Sequence, residues 1–131
     1  MKPLNVFIID DDELFVFLTK KTINTTDIET KINEFGDGQS ALEYLKQVSG
    51  NTTLLPDIIL LDLSMPIMDG WEFLEEYVSL VPAFGKKIKL YIYSSSISPH
   101  DIERSKGISV VNDFIIKPLF KEKFIEMLSD I

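Results

Sequence analysis

Short apolar runs that end in acid or in a turn alternate along this chain with longer stretches whose apolar residues recur at helical spacing. Val6-Phe7-Ile8-Ile9 is a continuous run closed by Asp10, the pattern of a strand buried on both faces. From Glu13, the residues Leu14, Phe15, Phe17, Leu18 and Ile23 fall near helical spacing, with Asp12 placed as N-cap and Lys20 and Lys21 toward the far end. Between Ile28 and Phe35 the residues Ile28, Thr30 and Ile32 alternate with Glu29, Lys31 and Asn33, which predicts a second strand closed by Gly36-Asp37-Gly38. Ala41, Leu42, Leu45 and Val48 mark one face of the next helix, and Ser49 to Pro56 read as loop.

The same alternation continues to the end. Ile58-Ile59-Leu60-Leu61 is another buried run that stops in acid, at Asp62. Met65-Pro66 and Asp69-Gly70 punctuate a loop, and Trp71, Leu74, Tyr77 and Val78 predict a helix ending near Val81-Pro82. A fourth strand is expected over Ile88 to Tyr93 and a short polar helix over Pro99 to Lys106. Phe114-Ile115-Ile116 then forms a fifth strand, and Phe120 to Leu128 a last amphipathic helix. Strand and helix alternate five times, so crossover connections impose a parallel sheet with helices on both faces, an α/β doubly wound architecture.

Composition narrows the picture. The 131 residues, 45% of them apolar, suit one core and one domain spanning 1–131. The chain carries 21 acidic against 13 basic residues, a net charge of −8, and its Lys and Arg are scattered, which disfavours direct nucleic-acid binding. Cysteine is absent, which removes disulfides and thiolate chemistry and agrees with a reducing compartment, so the cytoplasm is the expected location. The N-terminal apolar stretch is too short for a signal-peptide core. Runs such as Leu14 to Leu18 are far below the roughly 18 residues of a membrane helix.

Candidate chemistry follows from where the acids fall. Ligands of open parallel sheets bind beyond the carboxyl ends of the strands. Asp10, Asp11 and Asp12 follow the first strand, Asp62 the third, Ser94-Ser95-Ser96 the fourth and Lys117-Pro118 the fifth. Each signal alone has an ordinary reading as a cap, a turn residue or a solvated loop; their agreement in register makes the case. Carboxylates gathered at one site repel one another, which argues for a divalent cation, and an all-oxygen set favours magnesium, manganese or calcium over zinc. One such cation plus Lys117 would neutralise Asp10, Asp11 and Asp62. Ser94 could then donate to an added phosphoryl group and Lys117 pair with it, leaving Asp62 ionised and nucleophilic.

With those residues in place, the chain resembles the receiver domains of bacterial two-component response regulators, the chemotaxis-regulator-like fold, over essentially its whole length. The stretch from Pro56 to Gly70, with its apolar strand, Asp62, Met65-Pro66 and Asp69-Gly70, is similar to the family's phosphorylation-site signature. The resemblance implies a flavodoxin-like strand order 2-1-3-4-5, Asp62 as phospho-acceptor and Mg2+ as cofactor. Asp11 would bind the metal directly and Asp10 through water, while Ser64 offers its backbone carbonyl. Ser94 would be the switch hydroxyl and Lys117 the phosphate-contacting lysine, with a cis peptide expected at Lys117-Pro118. Phe114 occupies the aromatic switch position, where Tyr is commoner, so output through a tyrosine hydroxyl is lost.

The implied partners are a sensor histidine kinase or histidine phosphotransfer protein, and an unidentified output protein docking on the face of the fourth helix, fifth strand and fifth helix. Nucleic-acid contact and membrane insertion are not expected, and the implied state is a monomer or a phosphorylation-dependent dimer. With the chain stopping at Ile131, output is expected to pass through another protein, as from a stand-alone switch that is not itself an enzyme. Two other readings stand beside it. One is a degenerate receiver that binds a partner without phosphorylation; the other is an aspartyl-phosphate hydrolase of the haloacid-dehalogenase type, against which stand Leu14 in place of Thr or Val and the lack of room for a cap domain. His100 is expected exposed or capping, and Trp71 at a helix-sheet boundary.

Overall fold

The computed structural model describes residues 3–129. Five strands, β1 (Leu4–Ile9), β2 (Thr30–Phe35), β3 (Ile58–Leu61), β4 (Lys89–Ser94) and β5 (Val111–Ile116), pair in parallel in the order β2-β1-β3-β4-β5. The helices α1 (Glu13–Asn24), α2 (Gly38–Gln47), α3 (Gly70–Phe84), α4 (Pro99–Lys106) and α5 (Lys121–Met127) connect and follow them. The strand order reverses between β1 and β3, which opens a crevice at the carboxyl edge of the sheet.

Alternating side chains divide the core in two. Phe7, Ile9, Ile59, Leu61, Leu90 and Ile92 face α2 and α3, where Ala41, Leu42, Leu45, Phe73, Leu74 and Tyr77 cover them. Val6, Ile8, Ile58, Leu60, Tyr91, Tyr93 and Ile115 face α1 and α5, covered by Val16, Ile23, Phe124 and Met127. Both faces of β1, β3 and β4 are apolar because both are covered, which is why these three strands read as runs while the edge strand β2 reads as an alternation.

Three expectations need correction. Leu14, Phe17 and Leu18 of α1 are exposed, whereas Val16, Thr19 and Ile23 are buried. The helix presents positions spaced three and four apart to the sheet, and a threonine with a paired hydroxyl sits there in place of a leucine. Next, α3 runs through Pro82 to Phe84 and stops at Gly85, whose φ of 73° is left-handed. Proline forfeits a bond to the carbonyl of Val78, an exposed residue, so water can take that carbonyl. Finally, β2 begins at Thr30 because its pairing with β1 begins at Leu4, and β5 extends back to Val111. The order 2-1-3-4-5, the N-cap at Asp12 and the helix over Pro99–Lys106 are as expected.

Candidate functional site

Strand register builds the site. Ile9 of β1 pairs with Leu61 of β3, so Asp10 and Asp62 leave the sheet side by side. Their backbones extend the ladders by one bond each, Asp62 N–H donating to the Ile9 carbonyl and Asp10 N–H to that of Phe35, both at 2.9 Å. Across β4, Ser94 pairs with Ile116, and the Lys117 N–H donates to the Ser94 carbonyl at 2.8 Å. Four strand ends thus place Asp10, Asp62, Ser94 and Lys117 on one rim, and the Lys117–Pro118 peptide is cis.

Lys117 reaches back over that rim. Its Nζ lies 2.6 Å from Asp10 Oδ2 and 3.7 Å from Asp62 Oδ1, and its side chain is only 3% exposed. The ammonium also rests 4.7 Å from the Phe15 ring centroid and 5.4 Å from that of Tyr93. Asp10 Oδ1 accepts from the Asp12 N–H at 2.9 Å, while the buried Oδ2 has no aligned hydrogen-bond donor despite the nearby ammonium. It is charge-compensated but not hydrogen-bonded.

Asp62 shows the consequence. Burial, followed by the neighbouring Asp10 carboxylate, pushes its pKa from 3.8 up to about 6, against the opposing pull of Lys117 and the Leu63 backbone. In the metal-free protein, therefore, the two carboxylates are under-neutralised, and full ionisation of Asp62 at lower pH requires another cation.

The donor set fits one. Asp10, Asp11 and Asp62 each present a carboxylate oxygen, and these atoms lie within 4.8 Å of one another, with Asp11 exposed and the other two buried. An all-oxygen trio with an unbonded buried carboxylate oxygen suits a hard divalent ion such as magnesium. Asp12 is not in the trio. Its carboxylate is occupied in capping α1, accepting from Leu14 N–H at 3.1 Å and Phe15 N–H at 3.2 Å.

The loop after Asp62 has a steric logic. A Cβ on Gly70 would come within 2.6 Å of the Asp62 carbonyl and 2.8 Å of Leu63 Cα, so only glycine lets α3 begin this close to the end of β3. Asp69 before it forms a capping box with Glu72. Ile67, exposed, holds φ at 67°, a left-handed conformation that a β-branched residue rarely adopts and that no sequence pattern announced. Ser64 is exposed two positions beyond Asp62.

Ser94 is buried, its hydroxyl accepting from the Ser96 N–H at 3.1 Å. Phe114 is half-buried and lines a groove of about 170 Å³ between α4 and β5, together with Ile102, Ser105 and Ile116. Trp71 is half-buried with the Arg104 guanidinium 4.2 Å from its ring centroid, and His100 is exposed at the start of α4. Phe15 and Tyr93, whose rings lie beside the Lys117 ammonium, and Thr19, whose hydroxyl pairs with that of Tyr93, escaped the sequence reading because they lie inside apolar stretches.

A doubly wound parallel sheet with an acidic trio and a buried lysine at its carboxyl edge defines a phosphoryl-receiving switch domain. The chain belongs to the response regulator receiver domain family, whose model matches residues 6–129. A two-component response regulator from Cytophaga hutchinsonii superposes with a TM-score of 0.88 at 25% identity, over 99% of this chain and 97% of that one. A probable methanogenesis regulatory protein of Methanothrix harundinacea is 28% identical over 117 residues, 89% of this chain and 74% of that protein. A protein-glutamate methylesterase/protein-glutamine glutaminase of Nitrosomonas europaea is 39% identical over 82 residues, and the match covers 63% of this chain but only 21% of that protein. The protein is thus a phosphorylation-dependent signalling switch of the two-component type, and its Asp10, Asp11 and Asp62 cluster fits the phospho-aspartate site. Among the described residues no helix is long and apolar enough to cross a membrane.

Proposed function

We propose that Asp62 accepts a phosphoryl group from the phosphohistidine of a sensor kinase or histidine phosphotransfer protein, in the cytoplasm. An Asp62 carboxylate oxygen attacks phosphorus, and an O–P bond forms as the donor P–N bond breaks with its electron pair leaving on the imidazole nitrogen. Lys117 pairs with one phosphoryl oxygen and the Ser94 hydroxyl donates to another, holding the charge that spreads over the equatorial oxygens. Asp10, Asp11, Asp62 and the Ser64 carbonyl are the residues to hold Mg2+, which when bound neutralises the crowded carboxylates and the incoming phosphoryl group. Water later hydrolyses the acyl phosphate and restores the carboxylate.

The Ser94 hydroxyl turning toward the phosphoryl group leaves its Ser96 partner, and Phe114 follows inward, reshaping the α4-β5-α5 face on which an output protein docks. The observation that carries this reading is the convergence of the buried Asp10 and Asp62 carboxylates within 3.7 Å of the Lys117 ammonium. Intact mass after incubation with phosphoramidate or acetyl phosphate tests it. We expect a single phosphoryl gain that needs both magnesium and Asp62 and is absent in Asp62→Asn. A folded protein that gains no mass from either donor and binds no beryllofluoride is instead a receiver-shaped binding module.

A further inference from the structure

A lysine ammonium is a compact charge on a flexible four-carbon stem, so its usefulness at a reacting phosphoryl group depends on what fixes the stem. Here the fixing groups come from α1 and β4. The ammonium of Lys117 lies over the rings of both Phe15 and Tyr93, 4.7 and 5.4 Å from their centroids. The Tyr93 hydroxyl, itself buried, accepts from the Leu119 N–H at 2.9 Å, two residues beyond Lys117. It also pairs with the Thr19 hydroxyl at 2.9 Å, on the inner face of α1. Tyr93 immediately precedes Ser94, so one side chain joins the strand bearing the switch hydroxyl, the loop bearing the lysine and the helix bearing Phe15.

The Leu119 N–H occupies one lone pair of the phenol oxygen, and the Tyr93 and Thr19 hydroxyls share a further hydrogen bond in which either can donate. Burial pushes the Tyr93 pKa up, so the phenol keeps its proton. Nothing in the transfer chemistry itself requires this network.

We infer that Tyr93 is a positioning residue for Lys117: its ring supports the ammonium and its hydroxyl, braced by Thr19, anchors the Lys117-Pro118-Leu119 backbone so that the lysine meets the phosphoryl group from a preset position. The inference rests on Lys117 being the phosphate-contacting group. Tyr93→Phe keeps the ring and removes both hydrogen bonds. It is expected to slow phosphorylation by phosphoramidate about 10-fold, the scale of a small misplacement at a reacting centre, while magnesium affinity stays within about 2-fold.

Two further readouts separate positioning from folding. Side-chain ammonium NMR, with the Lys117 signal assigned by its loss in Lys117→Arg, should show that signal shifted away from the other lysines by the two rings in wild type, and displaced or broadened in Tyr93→Phe. Ile23→Val, in the core of the same helix and away from the lysine, should lower the melting temperature without slowing the reaction. If Tyr93→Phe does not fold, Thr19→Val removes one of the two hydroxyl contacts and should give a smaller loss of the same kind. The inference is overturned if wild type is phosphorylated and Tyr93→Phe matches its rate with an unmoved Lys117 signal, or if Ile23→Val slows the reaction equally per degree lost. A wild-type protein that takes no phosphoryl group sinks the proposed function instead, and the ammonium signal still decides whether Tyr93 positions the lysine.

Discussion

The two ends of the sheet are built from similar polar parts and balance them differently. At the amino end, buried Asn5 donates its backbone N–H to Asp57 Oδ2 at 2.9 Å and its side-chain amide to the carbonyls of Leu54 and Leu55 at 3.0 and 3.1 Å. Lys86 lies 2.9 Å from Asp57 Oδ1 and donates to the Thr52 and Leu55 carbonyls, each at 3.0 Å. One lysine serves one carboxylate, and spare donors find carbonyls. At the carboxyl end, one lysine faces two buried carboxylates, one of whose oxygens lacks a hydrogen bond. A satisfied polar cluster holds chain segments together; an under-neutralised one is held in place by the fold and completed by a ligand.

The largest effect should come from removing each lysine in turn. Lys117→Met is expected to slow phosphorylation by roughly 100-fold, the usual scale for losing a group that stabilises transition-state charge. Lys86→Met should leave that rate unchanged and lower stability instead, because the Thr52 and Leu55 carbonyls lose a donor. Mass-resolved time courses beside urea unfolding give both numbers for both variants. Equal rate losses would mean that the amino end also shapes the site and that the contrast between the ends is false.

A neutral substitution at each end should move stability in opposite directions. Asn5→Ala strips a side-chain donor from the Leu54 and Leu55 carbonyls, leaves the backbone donor to Asp57 in place, and is expected to cost about 1–3 kcal/mol in urea unfolding at any pH near neutral. Asp62→Asn should instead stabilise the metal-free protein. With its folded pKa raised to about 6 from 3.8, Asp62 binds its proton more tightly folded than unfolded. Wild-type stability therefore has this contribution in full below pH 3.8 and loses it as pH rises through about 6. The variant should match wild type near pH 4 and melt several degrees higher at pH 7.5. Magnesium should narrow that gap by stabilising wild type more. A gap that is constant with pH would show that charge crowding at Asp62 is not the cause.

The carboxyl end was readable in sequence because each of its residues ends a run. Asp10 and Asp62 lie one step past a buried strand and Lys117 one step past the edge strand β5, and parallel pairing leaves few places for them to go. Gly70 was readable as punctuation, though not as the position where a Cβ would strike the backbone of Asp62 and Leu63. What could not be read is whatever depends on distant partners. Tyr93 sits within an apolar strand, and its hydroxyl pairs with a residue 74 positions away on α1. The inner face of α1 was obscured for the opposite reason, since Leu14, Phe17 and Leu18 supply apolar signal from positions that turn to solvent. Composition reports how much apolar surface a helix has, not which side the sheet takes.

The smallest predicted effect concerns α4, which borders the carboxyl end and has Ser105 as its one buried residue among those described. Its Arg104 guanidinium stacks on Trp71, the residue after Gly70 at the start of α3. Such a contact between partly exposed groups contributes about 0.5–1 kcal/mol, so Arg104→Ala should barely change the unfolding midpoint. Its value is diagnostic. If phosphorylation reshapes the α4 face, beryllofluoride with magnesium should change Trp71 emission in wild type by disturbing this stack, and Arg104→Ala should lose most of that change while binding beryllofluoride as tightly. Emission changes of equal size in both proteins would mean that Trp71 senses the filled carboxylate site directly through the Asp62 to Gly70 loop. The contrast between the ends would then stop at the rim of the sheet, without reaching α4.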